Sequence, residues 1–244
     1  MKIKTLSLVS LVALSALTAR ADSKGASQSF DNSYYSIQSV EVQEVPDSVL
    51  TNENFKDIDQ LQQLQSTNML GGALEPVGVG QAALILDQII NIGSKIWAIV
   101  EKNKPVVNVI NLSANAVPEG LSSWQQIQQW RAPFARNYQV IMKNFLRMTV
   151  VNFIYRVQFT YGGNVDGKGL YLSAATVLPA QLKVLWGYHF NSQVSVANIT
   201  NAGTHDSPLA ALELQLKWSV DTVIKHHEET DSFYLRGDGY FRQL

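Results

Sequence analysis

The sequence predicts a β-rich α+β fold: an antiparallel β-sandwich with one packed amphipathic helix and a polar N-terminal arm. Three stretches carry that reading. Val151, Phe153, Tyr155, Val157, Phe159 and Tyr161 alternate with Asn152, Ile154, Arg156, Gln158 and Thr160. The same period of two returns in Leu182, Val184, Trp186, Tyr188 and Phe190, and again in Leu212, Leu214, Leu216, Trp218 and Val220. Successive side chains of a strand point to opposite faces, so each stretch presents one apolar face inward. Sheets covered on one side only are normally antiparallel.

The chain opens with Lys2 and Lys4, an uncharged run from Thr5 to Thr18 rich in Leu, Val and Ala, and then Ala19-Arg20-Ala21. A short cationic stretch, an apolar run and small residues at the first and third places form the pattern of a cleavable secretory leader. Residues 1–21 are therefore expected to be a signal peptide and the mature chain to begin at Asp22. Removing Lys2, Lys4 and Arg20 from the 19 basic residues leaves 16 against 20 acidic ones, a net charge of −4. That balance argues against nucleic acid or anionic lipid as an electrostatic partner. The sequence contains no cysteine, so the core must hold without disulfides in an oxidising compartment, which a chain of this length can do.

Residues 22–72 read as a polar arm in which Ser, Asn, Gln and Asp interrupt any apolar rhythm. Ile37, Val40, Val42 and Val45 mark one short strand within it, and Phe55, Ile58, Leu61 and Leu64 have the spacing of a short amphipathic helix. In residues 73–104, Leu86, Ile89, Ile90, Gly93, Ile96, Trp97 and Val100 fall on one helical stripe, with lysines gathered towards Pro105. The spacing predicts a helix over about residues 79–102, packed on the domain by its apolar face.

Residues 105–244 are expected to form the antiparallel β domain. A strand is predicted over Val106–Leu112, ended by a turn over Ala116-Val117-Pro118-Glu119-Gly120. Ser123-Trp124-Gln125-Gln126 has the form of a capping box, and Trp124, Ile127 and Trp130 stand three apart, which predicts a short helix broken by Pro133. The glycine-dense stretch from Gly162 to Gly169 reads as a hairpin loop, Asn201 to Pro208 as a second connection, and Arg236-Gly237-Asp238-Gly239 as a closing turn. Residues 209–224 exceed the usual strand length, so a bulge, a bend or a projecting hairpin is expected.

Little in the chain has the spacing of reactive chemistry. His226-His227-Glu228-Glu229 is the densest group of metal-ligand types, but neighbours on a strand face opposite ways and no third ligand is placed by sequence. His205-Asp206-Ser207 supplies the residue types of a hydrolase triad in adjacent positions, where they cannot adopt its geometry. Gly78 and Gly80 lack the third glycine and preceding strand of a dinucleotide fingerprint. Arg236-Gly237-Asp238 is a receptor-binding tripeptide that also makes a sound hairpin turn. No catalytic residue, metal site or cofactor is therefore expected. The candidate ligand-binding residues are Trp124, Gln125, Gln128 and Trp130, because indole faces beside amides stack on and hydrogen-bond to sugar rings; the competing reading is that the tryptophans form the buried face of a small helix.

These readings lead to an exported, periplasmic or extracellular, non-enzymatic binding or structural module of the cell envelope. Its expected partner is an envelope protein or glycan, with membrane contact as a further option. The alternatives are a membrane-active protein using a helix over residues 77–100, and an envelope polysaccharide hydrolase in which His205, His226 or His227 meets a carboxylate in a cleft.

Overall fold

A computed structural model of the chain describes residues 32–51, 83–93, 96–100 and 113–244. The leader, the helix expected over Phe55–Leu64 and the strand expected over Val106–Leu112 lie outside the described residues.

The strands are β1 (Ile37–Val45), β2 (Ile85–Asn91), β3 (Ile96–Val100), β4 (Ala114–Glu119), β5 (Phe134–Asn144), β6 (Thr149–Val165), β7 (Lys168–Val184), β8 (His189–Asn201), β9 (Ala210–Asp221), β10 (His226–Arg236) and β11 (Phe241–Gln243). They form a six-stranded sheet in the order β1-β5-β6-β7-β4-β2 and a five-stranded sheet in the order β11-β10-β9-β8-β3. Every ladder between these strands is antiparallel. The β-rich, two-sheet class read from the alternation is therefore the class the chain adopts.

The packed helix is not. Residues expected on its apolar stripe form β2, which pairs with β4 in the first sheet, and β3, which pairs with β8 in the second. A run this apolar satisfies a helical stripe and a buried strand alike, and the β-branched isoleucines tip the balance towards strand. Gly93, with φ of +136°, follows β2 where the chain leaves the first sheet, and a Cβ there would collide with the Ser113 carbonyl.

The capping box at Ser123–Gln126 forms, with the Gln126 side chain accepting from the Ser123 backbone N–H, but it caps one 3₁₀ turn (Trp124–Gln126) in place of a helix. Gln128 instead exchanges both backbone hydrogen bonds with Asn164, at 2.8 and 2.9 Å, which removes the groups a longer helix would need.

Leu182–Phe190 also departs from expectation, because the alternation there spans two strands. β7 ends at Val184, Tyr188 N–H bonds back to Leu185 C=O at 3.2 Å, and β8 starts at His189 in the other sheet. Gly187 occupies φ +85°, a conformation that L side chains rarely adopt. The tight turn between β6 and β7 places Asp166 and Gly167 both at positive φ, as a two-residue hairpin with the twist of its strands requires. Four register shifts along β6 and β7 bend this hairpin, so that Leu170 meets Leu209 of the second sheet and Gly162 N–H reaches Gly237 C=O.

The core lies between the sheets. Tyr138, Val140 and Met142 pair across the ladder with Tyr155, Phe153 and Val151, and face Leu214, Leu216, Trp218, Phe233 and Leu235 of the second sheet; all are buried. A smaller cluster of Val45, Leu50, Ile154, Leu178 and Ala180 covers part of the first sheet's outer face. Beside it Arg156 binds Asp47 at 2.6 Å and Asn137 at 2.9 Å, fixing the chain after β1.

Candidate functional site

Strand direction sorts the turns into two sets. Residues 145–148, 185–188 and 222–225 join β5 to β6, β7 to β8 and β9 to β10, and antiparallel pairing brings all three to one end of the sandwich. The turns β6–β7, β8–β9 and β10–β11 lie at the other. The first set reads Phe-Leu-Arg-Met, Leu-Trp-Gly-Tyr and Thr-Val-Ile-Lys. Six of the ten large apolar side chains exposed among the described residues sit on these twelve positions: Phe145, Leu146, Met148, Trp186, Val223 and Ile224. Trp186 is 80% exposed and Val223 77%, so neither owes its place to core packing.

Polar residues at the roots of the turns hold them in shape. The buried Asn144 accepts from the N–H groups of Leu146 and Met148 at 3.1 and 3.0 Å through Oδ1, and donates through Nδ2 to Tyr34 C=O at 3.0 Å. Thr222 accepts the Lys225 N–H at 2.9 Å on its hydroxyl. With the backbone groups satisfied from below, the outward positions are free to be apolar.

A helical turn over residues 32–35, with Ser36 after it, ties the first two turns together. Tyr34 donates to Trp186 C=O at 2.9 Å, Ser36 C=O accepts Phe145 N–H at 3.2 Å, and the Tyr35 ring lies against Gly187. A cleft of about 230 Å³ opens between Tyr35 and Ile37 on one wall and Thr222, Lys225, His226 and His227 on the other.

The two ends differ in charge. None of the three apolar turns contains an acid, and their charged residues are Arg147 and Lys225. Each turn at the far end carries an aspartate, Asp166, Asp206 or Asp238. Beneath the apolar turns the acids are paired: Glu41 with Lys143 at 3.7 Å, Glu228 with Lys217 at 2.8 Å, and Asp221 with His226 at 2.5 Å. The hydrogen bond to Asp221 raises the His226 pKa above the ordinary imidazole value, and Lys217 holds Glu228 below the usual carboxylate range.

Trp124, Gln125, Gln128 and Trp130 share one segment at the far end. The two amides are exposed; both indoles are half-buried and packed against the core, and the Trp130 ring abuts Gly163. His205 pairs with Asp87 at 2.7 Å on open surface, which raises the imidazole pKa and lowers that of the carboxylate. It stands at the opposite end from His226 and His227. His226-His227-Glu228-Glu229 begins β10, so His226 shares a face with Glu228 and His227 with Glu229. Among the described residues no three His, Asp or Glu side chains are grouped to hold a metal. Arg236 is engaged by Asp238 and covers the Tyr240 ring at 4.8 Å.

Sequence reasoning missed the apolar turns. The usable signal was the odd composition of three connections, where large apolar residues stand in place of the polar ones that turns favour. No protein-family model, curated protein or solved structure matches the chain. The structure alone defines its class, an antiparallel sandwich of two sheets. Among the described residues no helix is long and apolar enough to cross a membrane.

Proposed function

We propose that the chain is an exported, non-enzymatic binding module of the cell envelope that engages its partner through the end formed by residues 145–148, 185–188 and 222–225. The observation that carries this reading is the gathering of Phe145, Leu146, Met148, Trp186, Val223 and Ile224 at one end, exposed on turns whose roots are rigidly bonded. Monomeric proteins rarely expose apolar side chains in groups unless the group has a partner. The leader pattern of residues 1–21 supports export.

Fractionation of cells producing the full chain tests it. The processed protein should begin at Asp22 and partition with the envelope, and a Trp186→Ser/Val223→Ser/Ile224→Ser variant should shift to the soluble fraction while keeping its thermal midpoint. Equal partitioning of the two proteins would overturn the site.

A further inference from the structure

Resting on that reading, we infer that the partner at this end is the interface of an anionic lipid bilayer, into which the three turns dip without crossing. Three separate turns, from both sheets, each end in large apolar side chains, and the arrangement has the form of a set of points in place of a groove. A folded protein partner would need a matching set of cavities, whereas a bilayer receives side chains at any spacing.

The residue types agree with that medium. Trp186 is the most exposed large apolar residue described, and tryptophan favours the boundary between headgroups and acyl chains. Tyr34 and Tyr35 stand half-buried just behind it. Arg147 and Lys225 lie within the apolar turns and Lys183 two residues before Leu185, placing cations where headgroup phosphates would lie. The neighbouring acids Glu41, Glu228 and Asp221 are already paired with Lys143, Lys217 and His226. At the far end Asp238 is paired with Arg236, but the turn aspartates Asp166 and Asp206 would be repelled by the same surface, so that within a chain of net negative charge the local distribution sets which end approaches.

Sedimentation of the purified full chain, processed at its leader, with vesicles of phosphatidylcholine alone or mixed with phosphatidylglycerol tests the inference. Binding is expected on the mixed vesicles and should weaken with added salt. Trp186→Ser should reduce partition about tenfold, the effect of losing most of one buried aromatic. Arg147→Gln/Lys225→Gln should reduce it several-fold per charge on the mixed vesicles and little on neutral ones. Trp97 and Trp218 are buried, and Trp124 and Trp130 are half-buried at the far end, so a blue shift of emission on binding reports chiefly Trp186 and should vanish in Trp186→Phe while binding persists. Failure to bind vesicles of either composition, or equal binding by the Trp186→Ser protein, would overturn the bilayer as partner. If the apolar turns still hold the protein in the envelope fraction in that case, the docking end stands and its partner is a protein.

Discussion

Tyr155 of the first sheet donates its hydroxyl hydrogen to the carboxylate of Asp231 in the second, across the interior of the sandwich at 3.2 Å. The Trp218 indole N–H reaches the same oxygen at 3.2 Å. Burial, reinforced by the Asp231 charge, keeps the Tyr155 phenol protonated far beyond its ordinary range. One acceptor thus satisfies two buried donors and couples the sheets. Asp231→Ala should leave both unpaired and cost about 2–6 kcal/mol, at roughly 1–3 kcal/mol per stranded group. Asp231→Asn keeps a carbonyl acceptor and should cost less. Urea unfolding checks the order, and an unaltered midpoint for Asp231→Ala would show that the pair does not stabilise the sandwich.

Gly187 holds the apolar turn between β7 and β8 at φ +85°, with the Tyr35 ring where a Cβ would sit. Gly187→Ala should destabilise the protein by about 1–2 kcal/mol, combining backbone strain with that contact. It should also displace Tyr35, which a change in near-ultraviolet circular dichroism would detect.

Ala174 lies inside β7 at φ +53°, held there by a hydrogen bond from its N–H to Asn115 Oδ1 at 2.9 Å. The same oxygen accepts from the Ser173 hydroxyl at 3.1 Å. An alanine in the left-handed region is strained by about 1 kcal/mol, so Ala174→Gly should raise stability by up to that amount. Asn115→Ala should lower it, since the buried groups around it lose their partner. Thermal unfolding of the two variants should move in opposite directions.

His226 should titrate above 6.5 in the folded protein, because Asp221 stabilises its charged form. With the folded pKa raised, the pair's contribution to stability is fully present below about 6.5 and is lost as pH rises through the folded value. An NMR titration of the His226 ring should show the raised midpoint, and Asp221→Asn should bring it down. His205 should respond in the same way to Asp87→Asn.

Much of this architecture was legible in the residues. The alternation in Val151–Tyr161 and Leu212–Val220 appears in β6 and β9, and the box at Ser123–Gln126 forms, although it caps a single 3₁₀ turn where a short helix was expected. The leucine-isoleucine run through residues 85–100 was not legible, because its local pattern fits two structures and only pairing with β4 and β8 selects one. Leu182–Phe190 was misread for the opposite reason: the alternation continues through a turn, and Gly187 alone marked the break.

The sequence by itself determined that the chain would bury alternate residues in antiparallel strands, because a period of two is a property of neighbouring residues. Only the tertiary structure decided that Phe145, Trp186 and Val223, far apart along the chain, would stand at the same end. That outcome depends on strand direction and on which strand pairs with which, and both are settled by long-range hydrogen bonding and core packing that no local pattern encodes.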